Sequence, residues 1–307
     1  LHGLVAAGNV IDDDVRLAAY ETDALTAYRR RPLAVVLPET TAEVAAILAF
    51  AHREGVKIVP RGAGTSLSGG AIPAADAIVV GLGKFNKILE IDYANRCVVA
   101  QSGVTNLAIS HAVAGESFYY APDPSSQIAC TIGGNVAENS GGVHCLKYGL
   151  TVHNVLRIRV VSIEGEVFEI GSEAPDAPGY DLLALMIGSE GMLGVVTEVT
   201  VKLVPKPELA QVVMASFDDV GKAGDAVAAI IAAGIIPAGL EMMDKPATAA
   251  VEPYVKAGYD LNAAAILLCE SDGTPEEVAE EIVRVTEVLT VAGAGDIRIS
   301  QSEAERL

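Results

Sequence analysis

Pro60-Arg61-Gly62-Ala63-Gly64-Thr65-Ser66-Leu67-Ser68-Gly69-Gly70 is the stretch from which the fold is read. Glycines at 62, 64, 69 and 70 allow backbone angles closed to other residues and let several N–H groups converge on one anion. Arg61 could add a fixed positive charge. The spacing is not G-x-G-x-x-G and no Gly-Lys-Ser/Thr follows, so this is neither of the two common phosphate loops. By itself a glycine loop is more often a plain turn than a phosphate site. Working outward, residues 34–38 are a short apolar strand, and Thr40 with Glu43 makes a capping box for a helix whose stripe is Val44, Ile47, Leu48 and Ala51. Gly55 ends that helix, and residues 56–59 form a second strand that runs into the glycine loop. The order is strand, helix, strand, long loop, with further strands expected at 77–80, 87–92 and 97–101.

Two more glycine-rich segments follow. Thr131-Ile132-Gly133-Gly134-Asn135 is preceded by Pro122-Asp123-Pro124-Ser125-Ser126 and followed by Asn139-Ser140-Gly141-Gly142. A surface loop has no need of this density of glycine, asparagine and serine, whereas a buried ligand with many acceptors does. Residues 121–149 have almost no periodicity and predict a long irregular segment, of the kind that carries function. Gly188-Ser189-Glu190-Gly191-Met192-Leu193-Gly194 is a glycine-spaced turn feeding a strand over 194–203. Between them stand a hairpin (155–163 and 166–170) and a helix near 182–187. Pro205 and Pro207 mark a boundary, which gives domains over 1–206 and 207–307. Beyond it, strand and helix patterns alternate as an α+β layer, with Thr274, Pro275 and Glu277 opening its long helix.

A chain of 307 residues exceeds what one core usually needs, in keeping with two domains, and 51% apolar with 20% charged residues is a globular composition. The formal charge of -19 opposes nucleic acid and anionic membrane surfaces as partners. An anionic cofactor must then be held by local backbone N–H groups and single basic side chains. The longest apolar run, 226–240, is too short to span a bilayer and is broken by Gly234 and Pro237, so no integral membrane segment is expected. Asp12, Asp13 and Asp14 stand where a secretory signal would be basic or apolar. Cys97, Cys130, Cys145 and Cys269 lack C-x-x-C spacing and suggest reduced thiols in a cytoplasmic protein. The chain starts at Leu1 and stops in what reads as the first turn of a helix at 302–307, so a fragment is expected.

Three glycine-rich segments in this order resemble the FAD-binding domain of the vanillyl-alcohol oxidase and p-cresol methylhydroxylase superfamily. Within it the sequence is most similar to glycolate oxidase flavoprotein subunits and D-lactate and D-2-hydroxyglutarate dehydrogenases. The likeness is close over residues 30–205 and weaker past Pro207. It implies an α+β fold, a two-subdomain FAD-binding domain followed by part of a ferredoxin-like cap domain. It implies FAD as cofactor, with the pyrophosphate wrapped by Pro60, Arg61, Gly62, Ala63, Gly64, Thr65, Ser66 and Gly69. The flavin is expected along Pro122, Asp123, Ser125, Ser126, Thr131, Gly133, Gly134 and Asn135, with Asn139, Ser140 and Gly142 beside it. Glu190, Gly191 and Val196 are expected to add backbone contacts.

The same likeness implies oxidation of a small 2-hydroxy acid by hydride transfer to flavin N5, with electrons leaving to a partner such as an iron–sulfur subunit. Two departures stand out. Relatives that attach the flavin covalently through the first loop carry histidine after its second glycine; Thr65 stands there, so FAD is expected to be noncovalent. Relatives with hydroxy-acid activity keep a histidine-rich catalytic and metal-binding segment further toward the C-terminus than Leu307, so the base and any metal ligands are expected beyond it and no residue here is assigned to a metal. Of the five histidines, His144 alone falls in the irregular segment and is a candidate for the flavin edge. Two alternatives stay open: a flavin-binding electron-transfer or structural module, and a non-redox flavoenzyme like the alkyl-dihydroxyacetone-phosphate synthases.

Overall fold

The computed structural model describes residues 1–172 and 178–306. It divides into two units, Leu1–Gly142 with Leu150–Pro205, and Val143–Gly149 with Lys206–Leu307. The first unit opens with β1 (Val10–Ile11) and α1 (Asp14–Leu17), neither of them foreseen. β2 (Ala34–Val36), α2 (Thr41–Glu54), β3 (Lys57–Arg61) and β4 (Ala77–Gly81) follow. These strands form a sheet of order β1-β2-β4-β3, in which β2 and β3 both run parallel to β4. α2 starts where expected, because Glu43 N–H donates to Thr40 Oγ1 (3.2 Å) and Thr40 N–H to the Glu43 carboxylate (3.2 Å). It ends at Gly55 in the left-handed region (φ 66°). Its buried stripe, Val44, Ile47 and Leu48, packs with Val36, Val80 and Phe85. β3 runs two residues further than expected. Pro60 and Arg61 stay in register with Val80 and Gly81, and an edge strand tolerates the missing proline N–H.

The rest of this unit is an antiparallel sheet. β5 (Ile88–Asp92), β6 (Cys97–Gln101), β8 (Val155–Val161), β9 (Val167–Gly171) and β10 (Val195–Lys202) lie in the order β5-β6-β10-β8-β9. β7 (Phe118–Tyr119) pairs with β11 (Val204–Pro205). Helices α3 (Asn106–Val113), α4 (Ile132–Glu138), α6 (Thr151–Asn154) and α7 (Leu182–Met186) complete it. Ile109, Ile132 and Val136 pack against Val98, Ile158 and Val199 of the sheet. The irregular segment expected over 121–149 is corrected here, since it holds α4 and α5 (Cys145–Tyr148). Thr131 caps α4 by accepting from Gly134 N–H (3.3 Å), and burial of Ile132 and Val136 on one face supplies what two glycines take from helix propensity.

In the second unit β12 (Leu209–Phe217), β13 (Gly239–Asp244), β14 (Ala265–Gly273) and β15 (Ile297–Ile299) form an antiparallel sheet of order β13-β14-β12-β15. α8 (Val220–Ala232) and α10 (Pro275–Val291) bury Ala226, Ile230, Val278, Val285 and Leu289 against Val213, Ala215 and Leu267. α10 begins at the expected capping box of Thr274 and Glu277. α9 (Lys245–Val255), capped by Asp244, was not foreseen, and α11 (Glu303–Arg306) closes the described residues. The segment carrying α5 belongs to this unit. Its Lys147 is ion-paired to the buried Asp272, whose other carboxylate oxygen accepts from Tyr148 OH at 2.7 Å.

Candidate functional site

The three glycine-rich segments of the first unit meet. A Cβ on Gly62 would overlap Thr131 Oγ1, one on Gly191 would lie 3.0 Å from Pro60, and one on Gly70 would come within 3.3 Å of the Glu138 carboxylate and 3.8 Å of that of Glu190. At Gly62 the chains approach more closely than a side chain allows, and at Gly191 they leave a Cβ little room. Together the segments enclose a cleft of about 280 Å³. Pro60, Arg61, Gly62, Ala63, Gly64, Thr65 and Ser66 form one wall, Ser126, Thr131, Gly134, Asn135 and Ser140 another, and Glu190 a third. A smaller adjoining cavity of about 60 Å³ is lined by Gly133, Gly191 and Val196 among others.

Six expected residues stand behind these walls or away from them. Gly69 N–H donates to Asp23 (3.0 Å), and Pro122 O accepts from the Asn106 amide (2.9 Å). Asp123 fills the space that a Gly142 side chain would need. Asn139 ends α4 with φ 50° and its Oδ1 accepts from Val152 N–H (3.0 Å). Ser125 is exposed.

Arg61 lines the cleft and also holds the loop from behind. It is buried, and its Nη1 donates to Thr22 O (2.8 Å) and Ala71 O (2.9 Å), so this arm of the guanidinium pins the loop from within. Burial pushes its pKa down, with Tyr20 and Asp23 opposing the shift. The fit around it is close: Gly64 has φ 74°, and a Cβ there would overlap the guanidinium. Behind the loop the buried Asp23 accepts from Gly69 and Leu25 N–H groups, and Ala24 N–H donates to Ser66 O (3.1 Å). The residues 22–24 that hold the loop escaped the sequence reading, as one aspartate about 40 positions upstream carries no pattern. Ser68 of the quoted loop also lines the cleft, as do Cys130 and Glu138, which were not foreseen.

The loop's own donors point to its chemistry. Among the described residues no acceptor bonds the N–H groups of Gly62, Ala63, Gly64, Thr65 or Ser66. Five successive unbonded donors on a loop fixed from behind suit a ligand rich in acceptor oxygens. Opposite, the Cys130 thiol is pushed up by burial and stays protonated. His144 lies in the second unit, where its Nε2 is 3.4 Å from Glu270, a carboxylate shared with Arg306 (3.2 Å). Among the described residues no group of three or more His, Cys, Asp or Glu could hold a metal ion, and no helix is long and apolar enough to cross a membrane.

Comparison with known proteins fits this geometry. Residues 32–171 match the FAD binding domain family, and residues 206–307 match the C-terminal domain of FAD linked oxidases. The chain is 58% identical to glycolate oxidase subunit GlcD of Escherichia coli K12 over 97% of its length, and spans 60% of that protein. It is 33% identical to a D-lactate dehydrogenase of Anaerostipes hadrus, over 98% of this chain and 64% of the relative. It is 34% identical to an uncharacterized FAD-linked oxidoreductase of Mycobacterium tuberculosis H37Rv, over 99% of this chain and 68% of the relative. Its backbone resembles substrate-bound p-cresol methylhydroxylase with a TM-score of 0.83 at 19% identity, over 97% of this chain and 64% of that one. The residues fit the cofactor: successive unbonded N–H groups beside a cleft of about 280 Å³ answer a diphosphate. The chain belongs to the FAD-linked oxidoreductases, with an FAD binding domain followed by the C-terminal domain of FAD linked oxidases.

Proposed function

We propose that this chain is the flavin-binding part of an enzyme that oxidises a small 2-hydroxy acid, of glycolate or D-lactate type, to the 2-oxo acid. The observation that carries the reading is 58% identity to GlcD across 97% of the chain, joined to a cleft whose donors suit FAD. When bound, FAD supplies the acceptor, at N5, for the hydride leaving C2 of the acid.

The chain's own residues hold and orient. The N–H groups of Gly62 to Ser66 bind the diphosphate at short range, which a chain of formal charge -19 requires because its long-range field opposes an anion. Thr131, Gly134, Asn135, Ser126 and Ser140 line the opposite wall, and Gly191 and Val196 border the smaller cavity. Thr65 offers no nitrogen nucleophile, so the flavin is held without a covalent bond. The partner is an electron acceptor of the iron–sulfur type, and the setting is the cytoplasm, in keeping with four cysteines that form no disulfide among the described residues.

Anaerobic addition of glycolate, D-lactate and other 2-hydroxy acids to the full-length protein is expected to bleach the flavin absorbance with at least one of them. A flavin that stays oxidised with every acid would sink the reading and leave the electron-transfer module or the non-redox synthase type. Acid precipitation is expected to release all flavin into the supernatant; yellow colour kept on the precipitated chain would refute noncovalent binding.

A further inference from the structure

Residues 20–24, upstream of β2, grip the glycine loop from behind. The Arg61 guanidinium carbon lies 5.7 Å from the centre of the Tyr20 ring, and Arg61 Nη1 donates to Thr22 O (2.8 Å). One oxygen of the Asp23 carboxylate accepts from Gly69 N–H (3.0 Å) and the other from Leu25 N–H (3.0 Å). Ala24 N–H donates to Ser66 O (3.1 Å). The contacts fall on Arg61, Ser66 and Gly69, so they hold the run of unbonded N–H groups from Gly62 to Ser66 at both its ends. All of these gripping residues precede residue 32, where the match to the FAD binding domain family begins. Asp23 is 3% exposed and lines neither cavity, so any effect it has on a ligand must pass through the loop. A buried carboxylate behind an anion site opposes the anion through its field. What it supplies in return is geometry, because an ionised acceptor fixes two backbone donors more firmly than a neutral one.

We propose that residues 20–24 are a clasp that holds the loop's N–H groups where the FAD diphosphate needs them, with Asp23 as its positioning residue, so that cofactor binding depends on sequence ahead of the matched FAD binding domain. The inference rests on the FAD reading above.

The test is the full chain stripped of flavin, as wild type, Asp23→Asn and Asp23→Ala, titrated with FAD by flavin fluorescence well below the melting temperature of each apo-protein. Asparagine keeps the shape and one acceptor oxygen, whereas alanine keeps neither. The FAD Kd of the folded protein is expected to rise roughly threefold in Asp23→Asn and roughly tenfold in Asp23→Ala. Should alanine leave the chain unfolded, Asp23→Asn decides alone. A lower melting temperature with an unchanged Kd would make Asp23 merely structural and overturn the proposal, and so would variants equal to wild type in both. Tighter FAD binding by Asp23→Asn would overturn it as well, since relief of the carboxylate's field would then outweigh any lost positioning. In each of these cases FAD binding by the wild type leaves the FAD reading intact. A wild type that binds no FAD would overturn the clasp and the reading beneath it together.

Discussion

Glycines do different work in the two units. In the first, Gly62, Gly133, Gly142, Gly191 and Gly194 each stand where a Cβ would press on another segment. In the second, Gly234 and Gly293 have φ of 73° and 86° with nothing within 4 Å of a Cβ, so they only let the chain turn after a helix. The first set lets distant parts of the chain pack closely together, whereas the second relieves local strain. A glycine thus marks a close approach of chain segments when its missing side chain is replaced by a distant part of the chain, and a turn when it is replaced by solvent.

The strongest way to break this comparison is Gly133→Val. Its Cβ would lie 2.6 Å from Ser102 Cβ and 2.9 Å from Ser102 O, inside α4 where the backbone cannot yield without shifting a core helix. A loss of about 3 kcal/mol in denaturant unfolding is expected, with flavin lost as well. Near wild-type stability would mean that the close approach is not a constraint. Gly64→Val tests the loop itself. Left-handed φ and overlap with Arg61 should displace the N–H groups and weaken FAD binding by ~10-fold or more, while the fold persists because the loop adds little to the core. Full flavin occupancy in folded Gly64→Val protein would remove this loop from the site.

The second unit should respond through its dry core instead. Burial pushes the Cys269 thiol up to about 12 from an ordinary 9.0. The folded state then keeps a proton that the unfolded state gives up, so this group costs nothing below pH 9, and its effect is a loss of stability as pH rises from about 9 toward 12. Cys269→Ala should flatten that part of the stability profile relative to wild type, and parallel profiles would contradict it. The smallest effect is expected at Gly234→Ala, about 1 kcal/mol from left-handed strain alone, with FAD affinity unchanged. A large loss there, read by thermal melting, would blur the distinction between the two kinds of glycine.

Local features were legible from sequence because they are made by residues a few positions apart. The capping boxes of Thr40 with Glu43 and of Thr274 with Glu277, the stop at Gly55 and the apolar stripe of α2 are all set by hydrogen bonds and periodicity within one or two turns. The glycine-rich segments were legible too, as backbone freedom is a property of the residue itself. α4 was missed, since Gly133 and Gly134 argue against a helix until Ile132 and Val136 have a core to enter. What the tertiary structure alone decided is which distant residue each of these meets. It gave Arg61 to Thr22 and Ala71, Asp23 to the glycine loop, and Asp272 to the segment of His144 and Lys147. Such pairings depend on how strands register and helices pack over 10 to 125 positions of chain, and no local spacing encodes them.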